Sequence, residues 1–380
     1  MAQPPLDRAL FPIARDWAYC DHASVGPLPQ PTRDILVEIF DAQMRLGKNG
    51  MAPIEAQRDA VRAQVAAAIN AQPGEIAFMR SSSDGALLVA NGVEWRAGDE
   101  IVLADDEFGA NAYPWLNLRR RGVRIVLARA PGERISPEFL DRVATERTRL
   151  VAVSYVGFND GYRNDVNAIG RWCKERDVLF AVDAMQGFGQ LPFDVRASAA
   201  DFAYCGTAKW LLSPHGTSFV FVRRELVQDM LPSMLSWRSV ADPMRFLDYE
   251  QALHPDAQRF EGGSLNYPGV AAFGVSLDLL THAGLENIER HVLALRERLV
   301  EGAKRSGIGV KSDFPQQSRS AIVLLDRGEA DIDELRACSD AAKVGITVRD
   351  VGVRVSPHGY NDESDIDRVL AVLSAACAAR

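Results

Sequence analysis

Val178-Leu179-Phe180-Ala181-Val182-Asp183, running on into Ala184-Met185-Gln186, is the stretch on which the fold turns. Five apolar residues in succession, closed by a carboxylate, read as a strand over 178–182 with both faces buried. A second apolar run at 202–204 leads into Cys205-Gly206-Thr207-Ala208-Lys209-Trp210, a turn that presents a single lysine. Outward from this pair the pattern repeats. Residues 76–79, 100–103, 123–127, 150–153 and 218–222 are further short runs of Val, Ile, Leu, Phe or Ala. Between them, 84–93, 110–121, 137–145 and 166–176 carry helical spacing with charged outer faces. Strand alternating with helix predicts an α/β domain built on a mostly parallel, seven-stranded sheet. Ligands of such domains sit beyond the carboxyl ends of the strands.

The flanks extend this frame. Residues 32–44 and 53–69 read as helices, 231–263 as an irregular stretch, and 268–306 as a long helical region broken near Gly284. Strand and helix alternate again over 320–325, 331–344, 345–348, 351–356 and 364–376. With 380 residues, 47% of them hydrophobic, the chain has material for two domains. The expected division is an N-terminal arm (1–30) joining a small domain, a large ligand-binding domain (31–260), and linking helices with a small C-terminal α/β domain (261–380). The net charge of −8 comes with scattered basic residues, and Arg119-Arg120-Arg121 reads as the solvated end of a helix. That pattern argues against a nucleic-acid partner. Residues 1–10 lack a basic start followed by an apolar run, and no stretch of about 18 apolar residues occurs, so neither a secretory signal nor a membrane span is expected. Five widely spaced cysteines without a CxxC pair suggest reduced thiols and a cytoplasmic protein, with no metal site.

The candidate site gathers at strand ends. Asp183 can pair with a protonated pyridine nitrogen, and Lys209, desolvated, can act as a nucleophile toward an aldehyde. Together they are what a protein supplies to use pyridoxal 5′-phosphate (PLP) as an electron sink at an amino-acid α-carbon. Gln186 can donate to the ring's phenolic oxygen. Ser81-Ser82-Ser83 follows strand 76–79 and opens a helix. Capping accounts for one of these serines, and Ser82 and Ser83 offer hydroxyls to a phosphate, with Thr207 and Ser264 as further candidates. Phe108 follows strand 100–103 and can stack on a pyridine face. Arg354 is a lone arginine in an apolar strand, where either an internal carboxylate or a substrate α-carboxylate would satisfy it. Arg349 is a weaker instance of the same idea.

These residues carry a resemblance to the class V aminotransferases, the PLP fold-type I group that includes cysteine desulfurases, selenocysteine lyases, isopenicillin N epimerase and kynureninase. Tyr19-Cys20-Asp21-His22-Ala23-Ser24 is similar to the family's YLDNAA segment, and Val182-Asp183-Ala184-Met185-Gln186 to VDGAQ. The run from Lys209 through Trp210 and Pro214 to Gly216 resembles KWLLGPxG, whose lysine binds the cofactor. Phe260-Glu261-Gly262-Gly263-Ser264-Leu265-Asn266 resembles FExGTxN, whose hydroxyl residue reaches the neighbouring subunit's phosphate. The resemblance therefore implies a homodimer with shared sites. Arg354, Ser356, Tyr360 and Asn361 follow RxSxxxYN, whose arginine binds the substrate carboxylate.

The departures bear on the reaction. Desulfurases place a catalytic cysteine just before the carboxylate-binding arginine, whereas only Asp350-Val351-Gly352-Val353 separates Arg349 from Arg354. Cys338 falls in an expected helix upstream. Phe108 stands where the family often has histidine, and Ala208 precedes the lysine where desulfurases often have histidine. Val156-Gly157-Phe158-Asn159 replaces the usual asparagine region, leaving Asn159 as the candidate contact to the phenolic oxygen. The expectation is an aminotransferase or C–S/β-lyase acting on a small amino acid through Lys209. Cysteine desulfurase or selenocysteine lyase is disfavoured by the missing cysteine, and an amino-acid epimerase remains an alternative. From other classes, a non-catalytic PLP-binding regulator would want a DNA-binding appendage, and a dehydrogenase would want GxGxxG where this chain is serine-rich.

Overall fold

The computed structural model describes residues 3–128 and 133–378; residues 1–2 and 379–380, which the expected domain bounds include, lie outside the described residues. The chain opens with β1 (Ala18–Tyr19) and the helices α1 (Gln30–Leu46) and α2 (Lys48–Ala68). It continues through β2 (Ile76–Met79), α3 (Ser82–Gly92), β3 (Glu100–Ala104), α4 (Gly109–Asn117), β4 (Arg124–Ala128) and α5 (Pro137–Val143). Then come β5 (Thr148–Ser154), α6 (Val166–Glu175), β6 (Leu179–Asp183), β7 (Phe202–Gly206) and β8 (Ser218–Val222). The last part holds α7 (Tyr267–Ala283), α8 (Leu285–Arg305), β9 (Val323–Leu325), α9 (Ile332–Ala341), β10 (Val344–Gly345), β11 (Thr347–Arg349), β12 (Gly352–Val355) and α10 (Glu363–Ala378).

Strands β2 to β8 form one seven-stranded sheet in the order β2-β8-β7-β6-β5-β3-β4. Only β8 runs against its neighbours, so the sheet is mostly parallel, as the continuous apolar runs require. Phe180, Ala181 and Val182 of β6 have no exposed surface, and burial of this kind, at ~25 cal/mol per Å² of apolar area, fixes the strand centres. The strand order reverses between β3 and β5, next to the carboxyl ends of β5, β6 and β7. The long helical region divides at Gly284, whose φ of 82° ends α7. The second helix begins earlier than its proline suggests: α2 starts at Lys48 and carries Pro53 inside it, at the loss of one backbone donor.

A smaller antiparallel sheet, β11-β12-β9, stands on the other side of the carboxyl edge. Its hairpin pairs Thr347 with Arg354 and Arg349 with Gly352. A separate apolar cluster, including Leu295, Leu299, Val353, Val355 and Ile366, backs it. The N-terminal segment joins this cluster: β1 runs parallel to β10, and Ser356 donates its N–H to the Cys20 carbonyl at 2.6 Å. Arg119, Arg120 and Arg121 form an exposed 3₁₀ turn after α4. Among the described residues no helix is long and apolar enough to cross a membrane.

Candidate active site

Asp183 closes β6, and its pairing with Ser154 on one side and Tyr204 on the other sets it at the carboxyl edge of the sheet. It is 5% exposed, and its Oδ1 accepts one hydrogen bond, from the Met185 N–H at 2.8 Å. Burial pushes this carboxyl up to about 6, opposed by the Met185 N–H and the charge of Lys209. No cation pairs directly with it among the described residues.

After β7 the chain turns and brings Lys209 over the same edge. The turn is clamped from behind by the N-terminal segment: Gly26 donates its N–H to the Ala208 carbonyl at 2.9 Å. A Cβ on Gly26 would fall 2.2 Å from the Lys209 carbonyl oxygen, so only glycine fits there. The Lys209 Nζ forms no hydrogen bond or ion pair among the described residues and lies 5.5 Å from the centre of the Phe108 ring. Burial, reinforced by Arg354, pushes the ammonium down to about 8 against the pull of Asp183. A substantial share of this amine is therefore neutral near physiological pH.

Ser81 takes the N-cap of α3, accepting the Asp84 N–H at 3.2 Å. The next two residues, Ser82 and Ser83, keep hydroxyls and first-turn N–H groups without protein partners among the described residues, at the positive end of the helix. Gln186 is buried. Its Oε1 accepts from the Trp210 indole at 2.8 Å and its Nε2 donates to the Ala23 carbonyl at 3.0 Å, leaving one amide hydrogen uncommitted. Phe108 is half exposed and meets Phe158 edge to face, with ring centres 5.2 Å apart.

The facing wall is the β11–β12 hairpin. Arg354, 1% exposed, donates from Nη1 to the Phe158 carbonyl at 2.7 Å and from Nη2 to the Ser24 hydroxyl at 2.6 Å. Its nearest carboxylate is Asp21, 3.4 Å from Nη2, and its Nε is buried with no partner. Burial pushes the guanidinium down to about 10, and Asp21 pulls it back up. Asp183, Lys209, Ser82, Gln186, Phe108 and Arg354 line a single cavity of about 300 Å³.

Four expected residues fall elsewhere. Thr207 is fully buried and its hydroxyl turns inward to the Pro214 and Thr217 carbonyls, each at 3.0 Å, so it closes the turn instead of facing the cavity. Asn159 lines a broader adjoining opening, because the loop after β5 turns Phe158, one residue earlier, into the cavity wall. Ser83 borders a neighbouring opening beside Phe108 and Tyr113. Ser264 lies in a separate groove with Arg80, Ser236 and Asn266, outside the Lys209 cavity of its own chain.

The sequence reading missed Glu107, whose carboxylate accepts the Ser154 N–H at 2.7 Å and the Ser154 hydroxyl at 2.5 Å. Burial pushes it up to about 7. Its place directly after a strand end, one residue before Phe108, was the signal available.

A family model described as Aminotransferase class-V matches residues 19–369. The chain belongs to the class V aminotransferase family. It is thus a PLP-dependent enzyme, and its seven-stranded α/β architecture is the fold type I of that class. A relative from Methanothermobacter thermautotrophicus named probable cysteine desulfurase is 33% identical, with 94% of each chain covered. An uncharacterized aminotransferase, YcbU of Bacillus subtilis, is 27% identical over 98% of each. The solved structure of an apo cysteine desulfurase from Thermococcus onnurineus superposes with a TM-score of 0.89 at 21% identity, covering 99% of this chain and 98% of that one.

Proposed function

We propose that Lys209 carries the PLP of this class V enzyme and that the site acts at the α-carbon of a small amino acid, as an aminotransferase or a C–S/β-lyase. One observation carries the reading: a cavity of about 300 Å³ holds a buried carboxylate without a cation, a lysine amine without a partner and an arginine with an orphaned Nε. That donor set fits PLP and an amino acid. Asp183 matches a pyridinium nitrogen, the free hydroxyls and N–H groups at the start of α3 match a phosphate, and Arg354 matches a carboxylate. When bound, the cofactor supplies an electron sink for negative charge developing at the α-carbon.

The chain's own groups do the rest. Asp183 holds a proton on the ring nitrogen, because a charged partner relieves the burial that raises its own carboxyl. Phe108 offers a flat face and no proton, so Lys209, largely desolvated, takes and returns the α-proton. The uncommitted amide hydrogen of Gln186 would be available to the phenolic oxygen. Ser82 and the first-turn N–H groups of α3 hold the phosphate from one chain, and Ser264 is offered to a second copy in a homodimer. No metal, nucleic acid or membrane enters the scheme, which suits a cytoplasmic enzyme.

The names of the archaeal relative and of the solved structure favour a second reading, sulfur mobilisation. It needs a thiolate within reach of the substrate. Cys20, Cys173 and Cys205 are buried with thiols pushed up by burial, and Cys338 is exposed on α9; none of these lines the cavity. Lys209→Ala tests the main reading. Loss of the visible cofactor band and of turnover, the latter by more than ~10³-fold, is expected; a variant that keeps both refutes it. With the parent enzyme, an amino-acid panel scored for pyruvate, ammonia, sulfide and pyridoxamine phosphate separates lyase, desulfurase and aminotransferase outcomes.

A further inference from the structure

The same hairpin that carries Arg354 brings a second arginine to the cavity. Arg349 pairs with Gly352 across the hairpin and Thr347 with Arg354, so both arginines leave the same face as diagonal neighbours, about 7 Å apart at Cβ. Their surroundings differ. Arg354 is held by Phe158, Ser24 and Asp21, whereas the Arg349 guanidinium has no hydrogen bond or ion pair among the described residues. It lies over the Phe158 ring, whose centre is 5.9 Å from its central carbon. Among the residues lining the cavity, Arg349 and Arg354 are the permanent cations and Asp183 alone is a carboxylate. With a carboxylate seated on Arg354, Arg349 is the remaining arginine of the cavity lining. Arg349 also borders the wider opening beyond Phe158, where Arg327 and Arg336 stand among the carboxylates of Glu329, Asp331, Asp333 and Asp350, so a side chain pointing outward from the reacting carbon would pass its guanidinium.

We infer that Arg349 is a specificity-determining residue that selects a dicarboxylic amino acid, gripping the side-chain carboxylate while Arg354 grips the α-carboxylate. This rests on the reading of Lys209 and Arg354 above and adds the substrate class to it. A neutral side chain would leave the Arg349 charge facing an apolar ring, whereas a carboxylate gains a charge-assisted hydrogen bond.

Succinate and butyrate test the inference without chemistry, because neither has an amine to react. Binding of each to the holoenzyme is measured by calorimetry. Succinate is expected to bind at least ~10-fold tighter than butyrate. Arg349→Gln should bring the two affinities within about 3-fold of each other, and Arg349→Lys should restore part of the gap. Arg354→Gln should weaken both ligands. Among the described residues the Arg349 side chain makes no hydrogen bond for a replacement to break, so the two Arg349 variants are expected to keep the fold. Equal binding of succinate and butyrate by a holoenzyme whose cofactor depends on Lys209 overturns this inference alone, as does an Arg349→Gln variant that weakens both ligands alike. A Lys209→Ala variant that retains cofactor band and turnover overturns the Lys209 reading and this inference with it.

Discussion

The two walls of the cavity are built on different principles. The sheet wall, bearing Asp183, Lys209 and Ser82, hangs from strands of one layer whose centres are fully buried. Its functional groups sit within a few residues of a strand end and are nearly bare of protein partners. The hairpin wall, bearing Arg349 and Arg354, rests on three short strands, and its key arginine is held by residues far away in sequence, Asp21, Ser24 and Phe158. The sheet wall leaves reactive groups unsatisfied in a fixed frame. The hairpin wall aims charge by long-range hydrogen bonds, which suits binding and selection.

Three substitutions sharpen this contrast. The largest effect is expected at Arg354. Arg354→Gln removes a charged grip and leaves Ser24 and the Phe158 carbonyl short of a donor. KM for any amino acid should rise on the order of 10²-fold with a smaller change in kcat, measured by steady-state kinetics. A fall in kcat alone would move Arg354 to the reactive wall.

The next effect concerns the sheet wall without cofactor. The folded-state pKa of Asp183, about 6, lies above the usual carboxylate value. Between these values the folded apo-protein binds more protons than the unfolded chain, so its stability falls as pH rises through this window. Asp183→Asn removes the buried charge while its amide oxygen can still accept the Met185 N–H. The apo variant should be more stable than the parent at pH 8, on the order of 2 kcal/mol, and indistinguishable from it near pH 4, by denaturant unfolding. Its affinity for PLP should drop over the same comparison. Equal stability at both pH values would mean that the carboxylate is solvated.

The smallest effect is expected at Asp21, whose 3.4 Å contact with Arg354 is long. Asp21→Asn should raise KM about 3-fold and leave the pH profile of kcat in place, because the residue positions Arg354 and touches no reacting atom.

The same contrast explains what could be read from the residues alone. Strands of the large sheet were legible because burial on both faces demands unbroken apolar runs, and boundaries moved only slightly; the expected 123–127 became Arg124–Ala128. Asp183, Lys209 and Ser82 were legible because strand ends and a helix start are visible in a linear pattern. That Asn159 borders the adjoining opening and Phe158 both could not be read, because the twist of an irregular loop leaves no period to count. The inward hydrogen bonds of the Thr207 hydroxyl were not legible either, because a turn hydroxyl can close on its own backbone as easily as face a ligand. That Arg354 has one carboxylate at 3.4 Å and Arg349 no ion pair among the described residues is a property of three-dimensional pairing, which no spacing records.

Gly26 makes no contact with any reacting group, yet its missing side chain sets where the lysine-bearing turn can rest. An added methyl would have to push that turn outward, carrying the amine with it. Substitutions at this remote position should therefore weaken cofactor retention while every chemical group of the pocket stays intact.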